Sequence, residues 1–338
     1  MNGSNPKSDF VHVNGIRLHY LDWGGSGTTL IFLTGMGSSA YIFNKFAPRF
    51  TDKFRVLALT RRRHGDSDYP DTGYDADMLT EDIRQFMDSL NVEKAVLAGH
   101  SLAGIELTHF AATYPTRVEK LVYLDALDDR RAEMAIMEQN PLRNIEIKRE
   151  ENPPPHTVKE YIANMKKDFP RLAEIWSELW DEEIFHGVKV NEAGVVVDRM
   201  LASVEKMMVD NLVTRYVPKR VEAKIPTISF YAWKNPKLSN AYTEEQKAAF
   251  DQFERDVAKP FFRSLISEFQ NRFPHANIVV IPDGHHFCFI AQEELVFGEM
   301  RKFLLEYSVS GSQRSPEADA GGITFERDVY KSLQYHHG

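Results

Sequence analysis

Val96-Leu-Ala-Gly-His-Ser-Leu-Ala-Gly-Ile105 runs an apolar strand straight into Gly99-His100-Ser101-Leu102-Ala103-Gly104, and a helical pattern follows as far as Tyr114. A strand-to-helix turn this tight needs very small residues on either side of its central residue, and Gly99 and Ala103 meet that need. Such a turn strains the backbone of Ser101 and lifts its hydroxyl clear of the sheet. The helix that starts there points free N–H groups and its positive dipole end toward developing negative charge, which makes the Leu102 N–H a candidate oxyanion donor. On this stretch alone, small residues that let a helix pack on a strand, with Ser101 as its cap, would read the same way. The partners supplied elsewhere in the chain therefore decide between the two.

Upstream, Phe10 to Trp23 alternates apolar and polar residues about Asn14-Gly15, a dipeptide favoured in two-residue hairpin turns. Short, nearly continuous apolar runs follow at Thr29 to Leu33, Arg55 to Leu59, Ala95 to Ala98 and Leu121 to Leu124, as expected of buried parallel strands. Between them, Asp77 to Leu90 carries apolar residues at helical spacing. From Asp128 to about Glu222 the chain becomes highly charged and helical in period, without obvious buried strands. Strand patterns return at Pro226 to Ala232 and Ala276 to Ile281, with one long helical stretch, Thr243 to Phe273, between them. A last amphipathic helix, about Glu293 to Tyr307, precedes a tail rich in Ser, Gly and Asp that is expected to pack loosely.

The strand-to-helix turn at Ser101 resembles a nucleophile elbow, and with it placed the chain from about Phe10 to Tyr307 resembles the α/β-hydrolase superfamily, in particular its capped, esterase-like members. The resemblance implies an α/β fold: a mostly parallel central sheet flanked by helices, with an inserted helical cap. Residues 1–127 and 223–307 would form the core, 128–222 the cap and 308–338 the tail. Leu33-Thr-Gly-Met-Gly37 resembles the family's oxyanion loop, with Thr34 in place of the usual histidine, and Arg62-Arg-His-Gly-Asp-Ser67 resembles its Arg-Gly-x-Gly-x-Ser loop. By that resemblance the second oxyanion donor is the Met36 N–H, beside that of Leu102.

The general base implied by the resemblance lies in Ile281-Pro-Asp-Gly-His-His-Phe287, where His286 takes the family position and His285 is the neighbour to be excluded. A neutral imidazole can take the serine proton and return it to a leaving group. The acid departs from the common pattern. After the strand ending at Ala232 the family places an aspartate, but Ala232-Trp-Lys-Asn-Pro236 has Asn235 there, which could orient His286 without supplying charge. Some family members carry the acid one strand earlier. In this chain Leu121-Val-Tyr-Leu-Asp-Ala126 offers Asp125 for that role, with Asp128 as the alternative.

Bulk composition narrows the partners. The chain has 338 residues, 43% of them apolar, and a formal charge of −8 from interspersed charges, so no broad positive face is expected for nucleic acid. The only cysteine is Cys288, which excludes an intramolecular disulfide and is expected in a pocket wall. There is no apolar run of spanning length and no metal-ligand spacing or phosphate-binding glycine loop. A cytoplasmic enzyme without cofactor or metal, acting on a small apolar ester-like molecule and not on membranes, is the resulting expectation. Leu172, Ile175, Trp176, Leu179 and Trp180, and later Met200, Leu201, Val204, Met207 and Met208, form stripes expected to pack inward, some of them along the pocket. Carbon–carbon bond hydrolysis, lactone hydrolysis and non-catalytic ligand binding on the same fold are the alternatives. The charged run Lys148 to Glu151 is expected to be a solvated face.

Overall fold

The computed structural model describes residues 5–145, 152–222, 224–233, 238 and 242–306. Its frame is an eight-stranded sheet made of β1 (Lys7–Val13), β2 (Ile16–Gly24), β3 (Thr29–Leu33), β4 (Arg55–Leu59), β5 (Ala95–His100), β6 (Val118–Leu124), β9 (Thr227–Ala232) and β10 (Asn277–Ile281). The spatial order is β1-β2-β4-β3-β5-β6-β9-β10. Both pairings of β2 are antiparallel and every other pairing in this sheet is parallel. Asn14 and Gly15 both take positive φ, at 47° and 76°, as the two-residue hairpin turn requires.

Because successive strand residues face opposite ways, the apolar runs split between two cores. Leu30, Phe32, Val96 and Ala98 face one cluster, with the turns at 40–50 and the helices α10 (Cys288–Ala291) and α11 (Glu293–Glu306). Ile31, Leu33, Ala95 and Leu97 face the other, covered by α1 (Ala76–Ser89), α2 (Ala103–Thr113) and α9 (Lys259–Arg272). Cys288 is fully buried in the first cluster.

Residues 128–222 hold α3 (Arg131–Glu138), α4 (Val158–Asp168), α5 (Pro170–Glu174), α6 (Glu178–Gly187) and α7 (Ala202–Met208), the last running into a wider π-type turn at Val209–Thr214. The expectation that this stretch lacks strands is corrected by a small antiparallel hairpin, β7 (Val188–Val190) with β8 (Val196–Asp198). Three residues per strand are too few for a period of two to register, although Val188 and Val196 are buried. The long helical stretch expected from 243 to 273 is present as α8 (Glu244–Phe253), a π-type segment Glu254–Ala258, and α9. Pro260 stands at the start of α9, and its missing N–H removes a hydrogen bond from the ladder at the point where the helix widens.

Both apolar stripes of residues 128–222 pack inward, apart from Leu201, which is exposed. Among the described residues no helix is long and apolar enough to cross a membrane. The tail 308–338, the run at 148–151 and Asn235 lie outside the described residues.

Candidate active site

The parallel strands deliver three side chains to their shared carboxyl edge, where open α/β sheets place ligands. Ser101 follows β5 with φ 54°, a left-handed conformation that non-glycine residues rarely adopt. The smallness of its neighbours explains how the turn closes. A Cβ on Gly99 would lie 2.9 Å from Leu107 Cδ1 and 3.0 Å from the Cβ of Ala103, so alanine is accommodated at position 103 only because position 99 is bare. Ser101 N–H donates to Leu124 O at 3.3 Å, tying the elbow to β6.

Asp125 follows β6, also with positive φ, 46°. Its N–H donates to Phe230 O at 3.0 Å, and its Oδ1 accepts from Ala232 N–H at 2.9 Å, so the end of β9 holds both its backbone and its carboxylate. Its Oδ2 lies 2.6 Å from His286 Nδ1. His286, in the turn after β10, places Nε2 2.9 Å from Ser101 Oγ. Serine, imidazole and carboxylate thus form one hydrogen-bonded line drawn from three strand ends. Asp125 and Ser101 are largely shielded, and the His286 side chain retains 30% exposure, which leaves its outer edge open to an incoming molecule.

The alternatives separate cleanly. Asp128 is buried and its two carboxylate oxygens face Arg272 of α9, with Oδ1 at 2.7 Å from Nη2, so it does not orient His286. His285 turns away from the serine: its Nε2 donates to Arg171 O at 3.2 Å and its Nδ1 accepts from Phe287 N–H at 3.1 Å.

The loop carrying Met36 reaches the same place. A Cβ on Gly35 would fall 3.1 Å from Ser101 Cβ and 2.9 Å from His100 Nδ1, so only glycine lets this backbone lie against Ser101. The side chains of Met36 and Leu102 both enter a cluster with Met200, Val204, Met207, Met208 and Leu212, from the stretch around α7. Trp180 of α6 packs edge-on to Phe287, ring centroids 4.7 Å apart, next to His286.

Sequence reading missed His100, which braces the site, and the buried partners of the loop after β4. His100 Nε2 donates to the carbonyl of His286 at 3.0 Å, fixing the turn that carries the imidazole. Arg62 forks onto Asp82 with both contacts at 2.7 Å, and Arg63 takes φ 61° at a position where the family loop has glycine. His64, fully buried, is held neutral, its pKa pushed down to about 3 by burial and by the neighbouring Arg61 charge. The His100–His286 and Arg62–Asp82 contacts are invisible in spacing, because each joins separate elements.

Glu183 of α6 is buried, and it accepts from Ser39 N–H at 2.5 Å and Ser39 Oγ at 2.6 Å, clamping α6 to the turn just after the Met36 loop. Burial raises its pKa from 4.5 to about 7. The folded state thus holds this proton more tightly than the unfolded chain. The resulting stabilisation, on the order of 3 kcal/mol, is complete below about pH 4.5 and is lost as pH rises through 7. Glu183→Gln, which is neutral at every pH, is expected to raise Tm by several degrees at pH 8 and hardly at all at pH 4.5. Equal Tm shifts at the two pH values in thermal melts would contradict this.

Residues 28–161 match the family described as alpha/beta hydrolase fold. The chain has the α/β-hydrolase fold. It is 37% identical over 101 residues to the 2-(acetamidomethylene)succinate hydrolase of Mesorhizobium japonicum, a match spanning 30% of this chain and 36% of that protein. Over 115 residues it is 34% identical to a soluble epoxide hydrolase of a Corynebacterium species, across 34% of this chain and 40% of that one. The matched stretches therefore span well under two thirds of these relatives. In three dimensions a crystal structure of E-2-(acetamidomethylene)succinate hydrolase covers 88% of this chain and 99% of its own, with TM-score 0.64 and 22% identity. A marine microorganism esterase covers 85% and 98%, with TM-score 0.59 and 21% identity. At these identities the two structures speak for the fold.

Proposed function

We propose that this protein is a serine hydrolase that cleaves a carboxylic ester or similar acyl compound through an acyl-enzyme, with residues 128–222 serving as a cap over the cleft. The observation that carries the proposal is the line Ser101 Oγ, His286 Nε2 at 2.9 Å, His286 Nδ1, Asp125 Oδ2 at 2.6 Å. In this reading His286 accepts the Ser101 proton as Oγ attacks the carbonyl carbon. The Met36 and Leu102 N–H groups receive the oxyanion, and the protonated imidazole, steadied by Asp125, returns the proton to the leaving group. Water then repeats the sequence on the acyl-enzyme under the same base. A serine rather than a carboxylate at the elbow argues against the alkyl-enzyme route expected of an epoxide hydrolase. The apolar cluster of methionines beside Met36 and Leu102 supports an apolar acyl or alcohol group, since unbranched thioether side chains adapt to varied shapes.

The test is turnover of p-nitrophenyl esters from acetate to octanoate, with 2-(acetamidomethylene)succinate in the same panel, together with labelling by a fluorophosphonate. Hydrolysis with label on Ser101 is the expected result. A folded protein that neither turns over any of these compounds nor takes the label would sink the proposal.

A further inference from the structure

Arg61, Arg62 and Arg63 form an arginine run after β4, and Arg61 is the one that reaches the site. It is 5% exposed, and its partner Glu106, on α2, is 3% exposed. Arg61 Nε donates to Glu106 Oε1 at 2.9 Å, and Nη2 also contacts Glu106 Oε2. The same guanidinium donates from Nη1 to Gly35 O at 3.1 Å and from Nη2 to Thr34 O at 2.6 Å. After pairing with Glu106 the buried guanidinium still has donors to satisfy, and it satisfies them on two consecutive carbonyls of the loop lying against Ser101.

The geometry of the peptide unit gives that contact its meaning. Gly35 C=O and Met36 N–H are the two ends of one peptide group, and no cis bond occurs among the described residues, so the two point in opposite directions within a shared plane. Fixing the carbonyl oxygen fixes the aim of the N–H. A cationic donor on the oxygen also polarises the group and strengthens its N–H as a donor, as hydrogen bonds in series do. Glu106 holds the other side of the fork on the helix that begins at the Leu102 N–H.

We propose that the Arg61–Glu106 pair is a positioning device for the oxyanion hole, locking the Gly35–Met36 peptide to the helix that carries the second donor. The assignment rests on the reading of those two N–H groups given above. Arg61 touches no reacting atom and acts through the backbone.

The test compares wild type, Arg61→Lys and the double variant Arg61→Met/Glu106→Leu. Replacing both partners by apolar residues avoids a stranded buried charge, and such swaps are often neutral for stability. Three quantities are measured: kcat and KM on a p-nitrophenyl ester, affinity for an alkyl trifluoromethyl ketone, and amide exchange of residues 33–40 by mass spectrometry. In the double variant kcat is expected to fall on the order of 10- to 100-fold, less than outright loss of a donor, with KM nearly unchanged. Trifluoromethyl ketone affinity should fall in parallel, and exchange in 33–40 should quicken. Arg61→Lys, which keeps the charge but cannot fork, should fall between the two. A purely structural pair would move Tm without splitting kcat from KM. A folded double variant with wild-type exchange and kcat overturns the proposal. Should the double variant not fold, Arg61→Lys decides, and wild-type kcat and exchange in it overturn the proposal equally. If the wild type proves inert to esters and fluorophosphonates, the hydrolase reading falls. The exchange result, which needs no substrate, then settles the positioning role alone.

Discussion

Ser101→Ala is expected to lower kcat/KM on p-nitrophenyl acetate by about 10⁴-fold or more, with no comparable change in Tm. Alanine keeps the Cβ and the left-handed backbone, so the elbow and its hydrogen bond to Leu124 O have no reason to move. What disappears is the oxygen lying 2.9 Å from His286 Nε2, and with it any covalent route. The Met36 and Leu102 N–H groups would remain and sustain a residual rate above that in water, as an oxyanion hole does without its nucleophile. A variant that keeps more than a few per cent of activity would mean that water activated directly by His286 is the attacking group. Mass spectrometry of the trapped acyl-enzyme gives an independent check, since the ester adduct should sit on Ser101 and be absent from the alanine variant.

Asp125→Asn is expected to cost on the order of 10³- to 10⁴-fold in kcat, again with little effect on folding. The argument comes from which partners the two carboxylate oxygens have. Ala232 N–H can only donate, so it draws the amide oxygen of asparagine to the Oδ1 position, leaving the NH₂ group toward His286 Nδ1. His286 must then accept at Nδ1 and carry its proton on Nε2, facing Ser101 as a donor. In that tautomer it cannot take the serine proton. Asp128→Asn should leave kcat almost untouched while lowering stability, because that carboxylate is buried against Arg272. If instead Asp128→Asn loses the activity and Asp125→Asn retains it, the acid has been assigned to the wrong residue. Steady-state kinetics and thermal melts on the two variants separate the outcomes.

Much of this protein is legible in its sequence because the controlling physics is local. Apolar runs of five or so residues, Asn14-Gly15 between alternating strands, and glycine and alanine flanking Ser101 each reflect a constraint acting within a few residues. From these come the strands of the main sheet, the opening hairpin, the elbow and the nomination of Ser101. The resemblance they support adds His286, Asp125 and Met36. Signals weaken where an element is too short for its period to register, as in β7 and β8, or where one proline divides an otherwise continuous pattern, as at Pro260.

Tertiary structure decided the rest, since it concerns which distant groups meet. The spatial order β4-β3-β5-β6-β9-β10 arises from crossovers that no single segment encodes, and it alone brings the ends of β5, β6 and β10 to one edge. Asp125 and Asp128 are three residues apart after the same strand, yet one faces His286 and the other Arg272, 144 positions away. His285 and His286 are adjacent and point to different elements. Arg61 looks like one cation in a charged run until packing removes it from water, and a buried guanidinium must satisfy its donors with whatever lies in reach. Here those acceptors are Glu106 and the carbonyls of Thr34 and Gly35. Burial, by making every polar group find a partner, converts residues that spacing cannot connect into a single site.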